Sequence, residues 1–337
     1  MSMLLVLALI FASLLAAGEV HGAAAAKKMV IAYAAMNARV CPLWAPRERG
    51  FFSKYGIDAE PLFVRGAPTL VAAMASNEIE IGYTGGTAVI GAVASGSDLK
   101  VLSALTNRVT YDLVTRPGIR SPEDLRGKKF GVQSIGGTVW MGAILALEHL
   151  GLDPDRDKIN IIVAGDQTVL AQAVATGTID ATVLDGVQSR PLHAKGFPIL
   201  AELGNAKLPI LSSSIVAREP YIQKNPQTVE SVMRAVIEGE ASCLSAREKP
   251  TTLKILEKYL RISEKDAEEG YKDMVTGLDR KPYANPAGVT NVVRLMKRSN
   301  PKVENVKPET LIDDRILKKI DQSGFIDEMM AKYGVKQ

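Results

Sequence analysis

A chain of 337 residues has room for two domains at about 150 residues each. Its 47% hydrophobic and 23% charged residues exclude a disordered or collagen-like chain, and a formal charge of +4 gives no reason to expect nucleic acid. Two cysteines are too few for a disulfide framework or a four-cysteine zinc site.

The first element is an apolar run, Met3 to Ala17, of the length of a signal-peptide core and short for a membrane span. Small residues follow at Gly22 to Ala26, so residues 1–26 are expected to be a cleaved signal peptide. No cysteine follows the core, which argues against a lipoprotein anchor. Export to a periplasm places Cys41 and Cys243 in an oxidising compartment. Nothing local joins them, and two buried thiols are the expectation.

From Lys28 onwards strands and helices alternate. Met29 to Ala34 and Asp58 to Val64 are expected as strands around a helix, Pro42 to Tyr55, that stops at Gly56. Pro68 to Ser76 is the next helix. Ile79 to Tyr83 then runs as a strand into Thr84, Gly85, Gly86 and Thr87 and a helix ending at Ala94. Strands follow near Val101 to Leu105 and Tyr111 to Thr115. A second series opens at Ser121-Pro122-Glu123-Asp124, where serine caps, proline suits the first helical position and the acids favour the first turn. It continues with strand Lys129 to Val132, helix Thr138 to Leu150, strand Ile159 to Ala164, helix Thr168 to Thr176 and strand Ile179 to Leu184. After Pro226 the pattern is mostly helical. Strands separated by helices imply α/β lobes with parallel pairing and crossover helices.

An internal repeat organises this pattern. Ala73 to Gly86, AMASNEIEIGYTGG, matches Ala173 to Gly186, AVATGTIDATVLDG, at an offset of 100. Two related lobes are expected, with ligands outside the carboxyl ends of the strands, where glycine turns lead into helix N-termini.

The segments CPLWAPRERGFFSKYGIDAEP, SNEIEIGYTGGTAVIGAVASGSDLKVL and IRSPEDLRGKKFGVQSIGGTVWMGAILALEHLGLDPD resemble blocks of the ABC-transporter substrate-binding proteins of the nitrate/sulfonate/bicarbonate group, the NMT1/THI5-like family. TGTIDATVLDG and REPYIQKNPQTVESVMRA fit its later blocks, and the resemblance covers about residues 28–330. It implies a two-lobed periplasmic binding protein of type II, each lobe an open mixed sheet flanked by helices, with a ligand cleft between lobes. Residues 27–115 would open lobe one, 116–212 form lobe two, and 213–337 return to lobe one. The crossovers would lie near Thr115 to Gly118 and Ser212 to Val216. The implied role is capture of a small solute and delivery to an ABC permease and its ATPase, by a monomer, without cofactor or catalysis.

The candidate contacts sit at strand ends. Asn37 follows the first strand, where it is either a ligand contact or a loop residue. Trp44 either lines the cleft or packs its helix on the sheet. Thr84, Gly85, Gly86 and Thr87 form the strongest set, with Thr87 capping the next helix. Ser134, Ile135, Gly136, Gly137 and Thr138 are the matching set in lobe two. Asp185 could accept from a ligand amine or hydroxyl, or cap a helix. Arg65 could pair with a carboxylate or sulfonate, or lie in solvent. Gly66, Thr69 and Gln167 are weaker candidates on equivalent turns.

Catalytic signals are thin: no HExxH, G-x-S-x-G or P-loop occurs, and Cys41 has no evident histidine partner. The leading expectation is a binder of a sulfonate, nitrate or carboxylate. The alternatives are a binder of a thiamine-precursor-like pyrimidine, a lyase on the same scaffold, or a ligand-sensing partner of a receptor.

Overall fold

The computed structural model describes residues 27–297 and 300–335, so the expected signal peptide lies outside the described residues. Among the described residues, ten strands form two five-stranded sheets. The first has the order β2-β1-β3-β10-β4, built from β1 (Lys27–Tyr33), β2 (Ile57–Phe63), β3 (Ile81–Thr84), β4 (Leu99–Arg108) and β10 (Pro209–Arg218). The second has the order β7-β6-β8-β5-β9, from β5 (Asp112–Thr115), β6 (Lys129–Val132), β7 (Asn160–Val163), β8 (Ala181–Leu184) and β9 (Ile199–Glu202). In each sheet the three strands at one side are parallel, while β10 and β5 run antiparallel to their neighbours. Both sheets are therefore open and mixed.

The repeat is kept in the element bounds. Helices Ala67–Ala75 and Gln167–Ala175, strands β3 and β8, and helices Gly86–Ala94 and Gly186–Ala194 all correspond at the offset of 100. Gly66 and Gly165 head the first helix pair with φ of +90° and +130°, a conformation that a side chain would oppose.

The lobe boundary differs from expectation. The strand ending at Thr115 pairs with β8 and β9, so it belongs to lobe two, and β10 begins at Pro209 in lobe one. The crossovers are therefore at 109–111 and 207–208, upstream of the positions expected. Short strands give no sequence signal for which sheet they join, and β5 is chosen by its neighbours β8 and β9. The two crossovers touch: the Val109 amide donates to the Leu208 carbonyl at 2.9 Å.

The C-terminal helices close over the outer face of sheet one. Pro226–Leu244 lies on helix Cys41–Glu48, and Glu264–Gly277 packs against both lobe one and helix Gly186–Ala194 of lobe two. The expected helix Pro42 to Tyr55 is two pieces, Cys41–Glu48 and Phe51–Lys54, because Gly50 between them has a φ of +72°. Among the described residues no helix is long and apolar enough to cross a membrane.

Candidate functional site

One helix from each lobe aims its N-terminus at the gap between the lobes. Gly85 precedes helix Gly86–Ala94 in lobe one, and Gly137 precedes helix Thr138–His149 in lobe two. The turns meet: a Cβ on Gly85 would lie 1.7 Å from Thr138 Oγ1 and 3.3 Å from the Ser212 carbonyl. Only a glycine permits this approach. The lobes are closed on each other.

Behind that contact is a small cavity of about 30 Å³, space for a water or two. Asn37, Thr84, Gly85, Ser134, Gly137 and Thr138, all expected from the sequence, line it. Gln133, Tyr83, Tyr111 and Ser213 complete the wall together with Gln167. No lining side chain carries a formal charge, so polarity there comes from hydroxyls, amides and two helix N-termini. Thr84 and Gln167 are buried, yet Thr84 Oγ1 and Gln167 Nε2 have no hydrogen-bond partner. Buried polar atoms are nearly always partnered, so these two keep unused bonding capacity in the wall of the cavity.

The cavity continues outward past Met36, Asn37 and Gln167 into an open groove of about 960 Å³. Tyr33, Phe63 and Tyr259 give this groove an aromatic wall, and Arg65 and Asp166 face each other across it. Their ion pair is 2.8 Å long and bridges the lobes at the rim. Arg65 is thus engaged by an acid of lobe two.

Deeper in the cleft, Arg39 of lobe one pairs with Asp185 of lobe two, and both are buried. Asn37 builds the turn that carries Arg39: its side chain accepts from the Arg39 amide at 3.1 Å. The Tyr83 hydroxyl donates to the Arg39 carbonyl at 2.7 Å, and Arg39 Nη1 donates to Thr110 Oγ1 at 2.7 Å. The guanidinium also lies 5.0 Å from the centre of the Tyr111 ring. Burial works against the charge on Arg39, but Asp185 and Tyr111 outweigh it and Arg39 remains a cation. Burial raises the Asp185 carboxyl above its ordinary value, with Arg39 opposing.

Asp185 does not cap helix Gly186–Ala194. That task falls to Asp273 from helix Glu264–Gly277, whose carboxylate accepts from the Gly186 amide. Burial, then the charge of Asp185, pushes Asp273 up to about 7, against the Gly186 amide and Arg39.

Several expected residues are elsewhere. Trp44 is fully buried, stacked on Tyr259 at 4.7 Å and edge-on to Tyr33 at 5.8 Å, so it packs the helix instead of lining the cavity. Thr87 does not cap: the helix begins at Gly86 with Gly85 before it, which leaves Thr87 inside the first turn. Gly86 faces Leu211, whose Cβ would be 2.6 Å from a Cβ added there. Ile135 and Gly136 face a separate groove on the far side of the lobe contact. Among residues the sequence did not single out, Arg39 is foremost. A lone cation between Ala38 and Val40 was its only signal.

Two lobes joined by a double crossover, with strand ends and helix N-termini converging on a gap between them, have the architecture of the periplasmic-binding-protein fold. The profile described as NMT1/THI5 like matches residues 37–249, and the chain belongs to that family. YtlA of Bacillus subtilis (strain 168), named as a binding protein, is 26% identical over 204 residues, 59% of this chain and 61% of YtlA. The chain thus spans about three fifths of that relative. The nitrate/nitrite binding protein NrtA of Nostoc sp. (strain PCC 7120) is 24% identical over 276 residues, 68% of this chain and 58% of NrtA. Among solved structures, the alkanesulfonate-binding protein SsuA of Xanthomonas axonopodis pv. citri, bound to MOPS, superposes with a TM-score of 0.68 at 16% identity, covering 88% of this chain and 98% of SsuA. That likeness shows a shared fold.

Proposed function

We propose that this chain is the exported solute-binding component of an ABC importer. It acts in the periplasm as a monomer, captures a small anionic solute of the sulfonate, nitrate or carboxylate type between its lobes, and passes it to a permease and its ATPase without chemical change. The observation that carries this reading is the inner cavity, where two helix N-termini from opposite lobes meet and Thr84 Oγ1 and Gln167 Nε2 have no partner. Backbone amides and hydroxyls at helix N-termini stabilise negative charge without a cationic side chain. In the closed form the cavity is smaller than such solutes, so entry requires the lobes to part.

A second reading, a neutral pyrimidine-like heterocycle, draws on the Arg39–Asp185 pair, which leaves no net side-chain charge beside the cavity. Tyr111 and Gln133 would supply a ring face and an amide.

Thermal unfolding against nitrate, bicarbonate, alkanesulfonates, aromatic carboxylates and pyrimidines separates them. A ligand at about 100 times its Kd stabilises by about 2.7 kcal/mol, a shift of several degrees. Anions are expected to shift the transition and pyrimidines to leave it unmoved; the reverse would favour the second reading. Thr138→Val is expected to abolish the shift and Thr87→Val to preserve it. Sustained conversion of a bound solute would overturn the binding role.

A further inference from the structure

Cys41 and Cys243 are 202 positions apart, and the fold brings their sulfurs to 3.1 Å from each other with both residues wholly buried. Their meeting has a local cause. Helix Pro226–Leu244 crosses helix Cys41–Glu48 at Gly239, where a Cβ would fall 2.6 Å from the Pro42 carbonyl oxygen and 2.7 Å from the Pro46 ring. The missing side chain lets the two helices approach closely. Cys243 lies four residues beyond Gly239, on the same face, and Cys41 opens the opposing helix.

We propose that Cys41 and Cys243 form an intramolecular disulfide, made while the chain folds and enclosed in lobe one thereafter. A disulfide needs about 2.0 Å between sulfurs, so roughly 1 Å of side-chain movement closes the gap. Two S–H bonds break and one S–S bond forms. The two electrons and two protons pass to an oxidised dithiol protein or to oxidised glutathione, which leaves reduced, by way of a mixed disulfide. Burial pushes the Cys243 thiol well above its ordinary value, which slows exchange once the helices have closed. The bond therefore forms before closure and resists reductants afterwards.

Its position gives it a role. Cys41 directly follows the 3-10 turn Ala38–Val40 that carries Arg39 and is capped by Asn37. The bond would anchor that turn to the long C-terminal helix of lobe one, and the covalent loop would contain all of lobe two. A loop this long restricts the unfolded chain strongly.

The test is to refold the full chain from denaturant in a glutathione redox buffer and, separately, in dithiothreitol. Each sample is then denatured and its thiols titrated. The expected count is none after oxidative refolding and two after reduction. A digest without reductant should contain one joined peptide holding Cys41 and Cys243, about 2 mass units lighter than the sum of its parts. Two titratable thiols after oxidative refolding, or glutathione held on either sulfur, would overturn the proposal. The oxidised chain is also expected to unfold at higher urea than the reduced one, a difference that Cys41→Ser and Cys243→Ser each remove. If those variants keep the difference, the pair is not its source; if they fail to fold, the titration of the unsubstituted chain decides alone.

Discussion

Arg39 and Asp185, one from each lobe, form an ion pair with only 2% and 4% of their side chains exposed. A pair so placed couples closure of the cleft to burial of two charges. Parting the lobes exposes both to water, which offsets the lost attraction. The contact is therefore compatible with opening and specific for one closed geometry.

Removing one partner strands the other. Arg39→Met or Asp185→Asn is expected to cost about 3–5 kcal/mol, whereas the double variant Arg39→Met/Asp185→Leu recovers most of the loss. Urea unfolding at neutral pH checks this. Single variants as stable as the unsubstituted chain would mean that water reaches the pair.

Asp273 is expected to make the stability of the fold depend on pH. Its carboxyl titrates near 7 in the fold, facing Asp185, Arg39 and Asp112, with Arg190 also within its field. An aspartate in the unfolded chain titrates near about 3.9. Between those values the folded chain holds a proton that the unfolded chain has lost. This contribution to stability is fully present below about pH 4 and is lost as pH rises through about 7. Asp273→Asn, which keeps an acceptor for the Gly186 amide, is expected to gain on the unsubstituted chain by roughly 2–3 kcal/mol between pH 5 and pH 8. Urea midpoints at both pH values measure the difference. Parallel profiles would assign the titration to another group.

Gly85 sets how closely the lobes approach. A methyl group there would collide with Thr138, so Gly85→Ala is expected to fold and to hold the lobes apart. Small-angle X-ray scattering should show a larger radius of gyration, with an unchanged far-UV circular dichroism spectrum. An unchanged radius would mean that Thr138 can turn aside.

Much of this was legible in the chain. The match between AMASNEIEIGYTGG and AVATGTIDATVLDG at an offset of 100 reappears as two runs of helix, strand and helix with the same bounds at that offset. Local patterns survive folding well because turn glycines and apolar spacing act within a few residues. Pairings between distant residues had no such signal. Arg39 meets Asp185, Asp273 caps a helix of the other lobe, and Cys41 meets Cys243, each through the packing of elements far apart in the chain. Thr87 failed as a cap for a local reason: the helix starts one residue earlier, at Gly86, so its hydroxyl sits inside the first turn. Trp44 went to the core because Tyr259, far along the chain, supplies its stacking partner.

The two strands of lobe one that lead into the crossovers, β4 and β10, are ten residues each and lie side by side, and the crossovers beyond them are bonded to each other through Val109 and Leu208. Two tethers fastened together bend about one axis. A pair of fluorophores placed on opposite lobes would then report a single opening angle, and the chain could serve as a ratiometric sensor for whatever solute draws it shut.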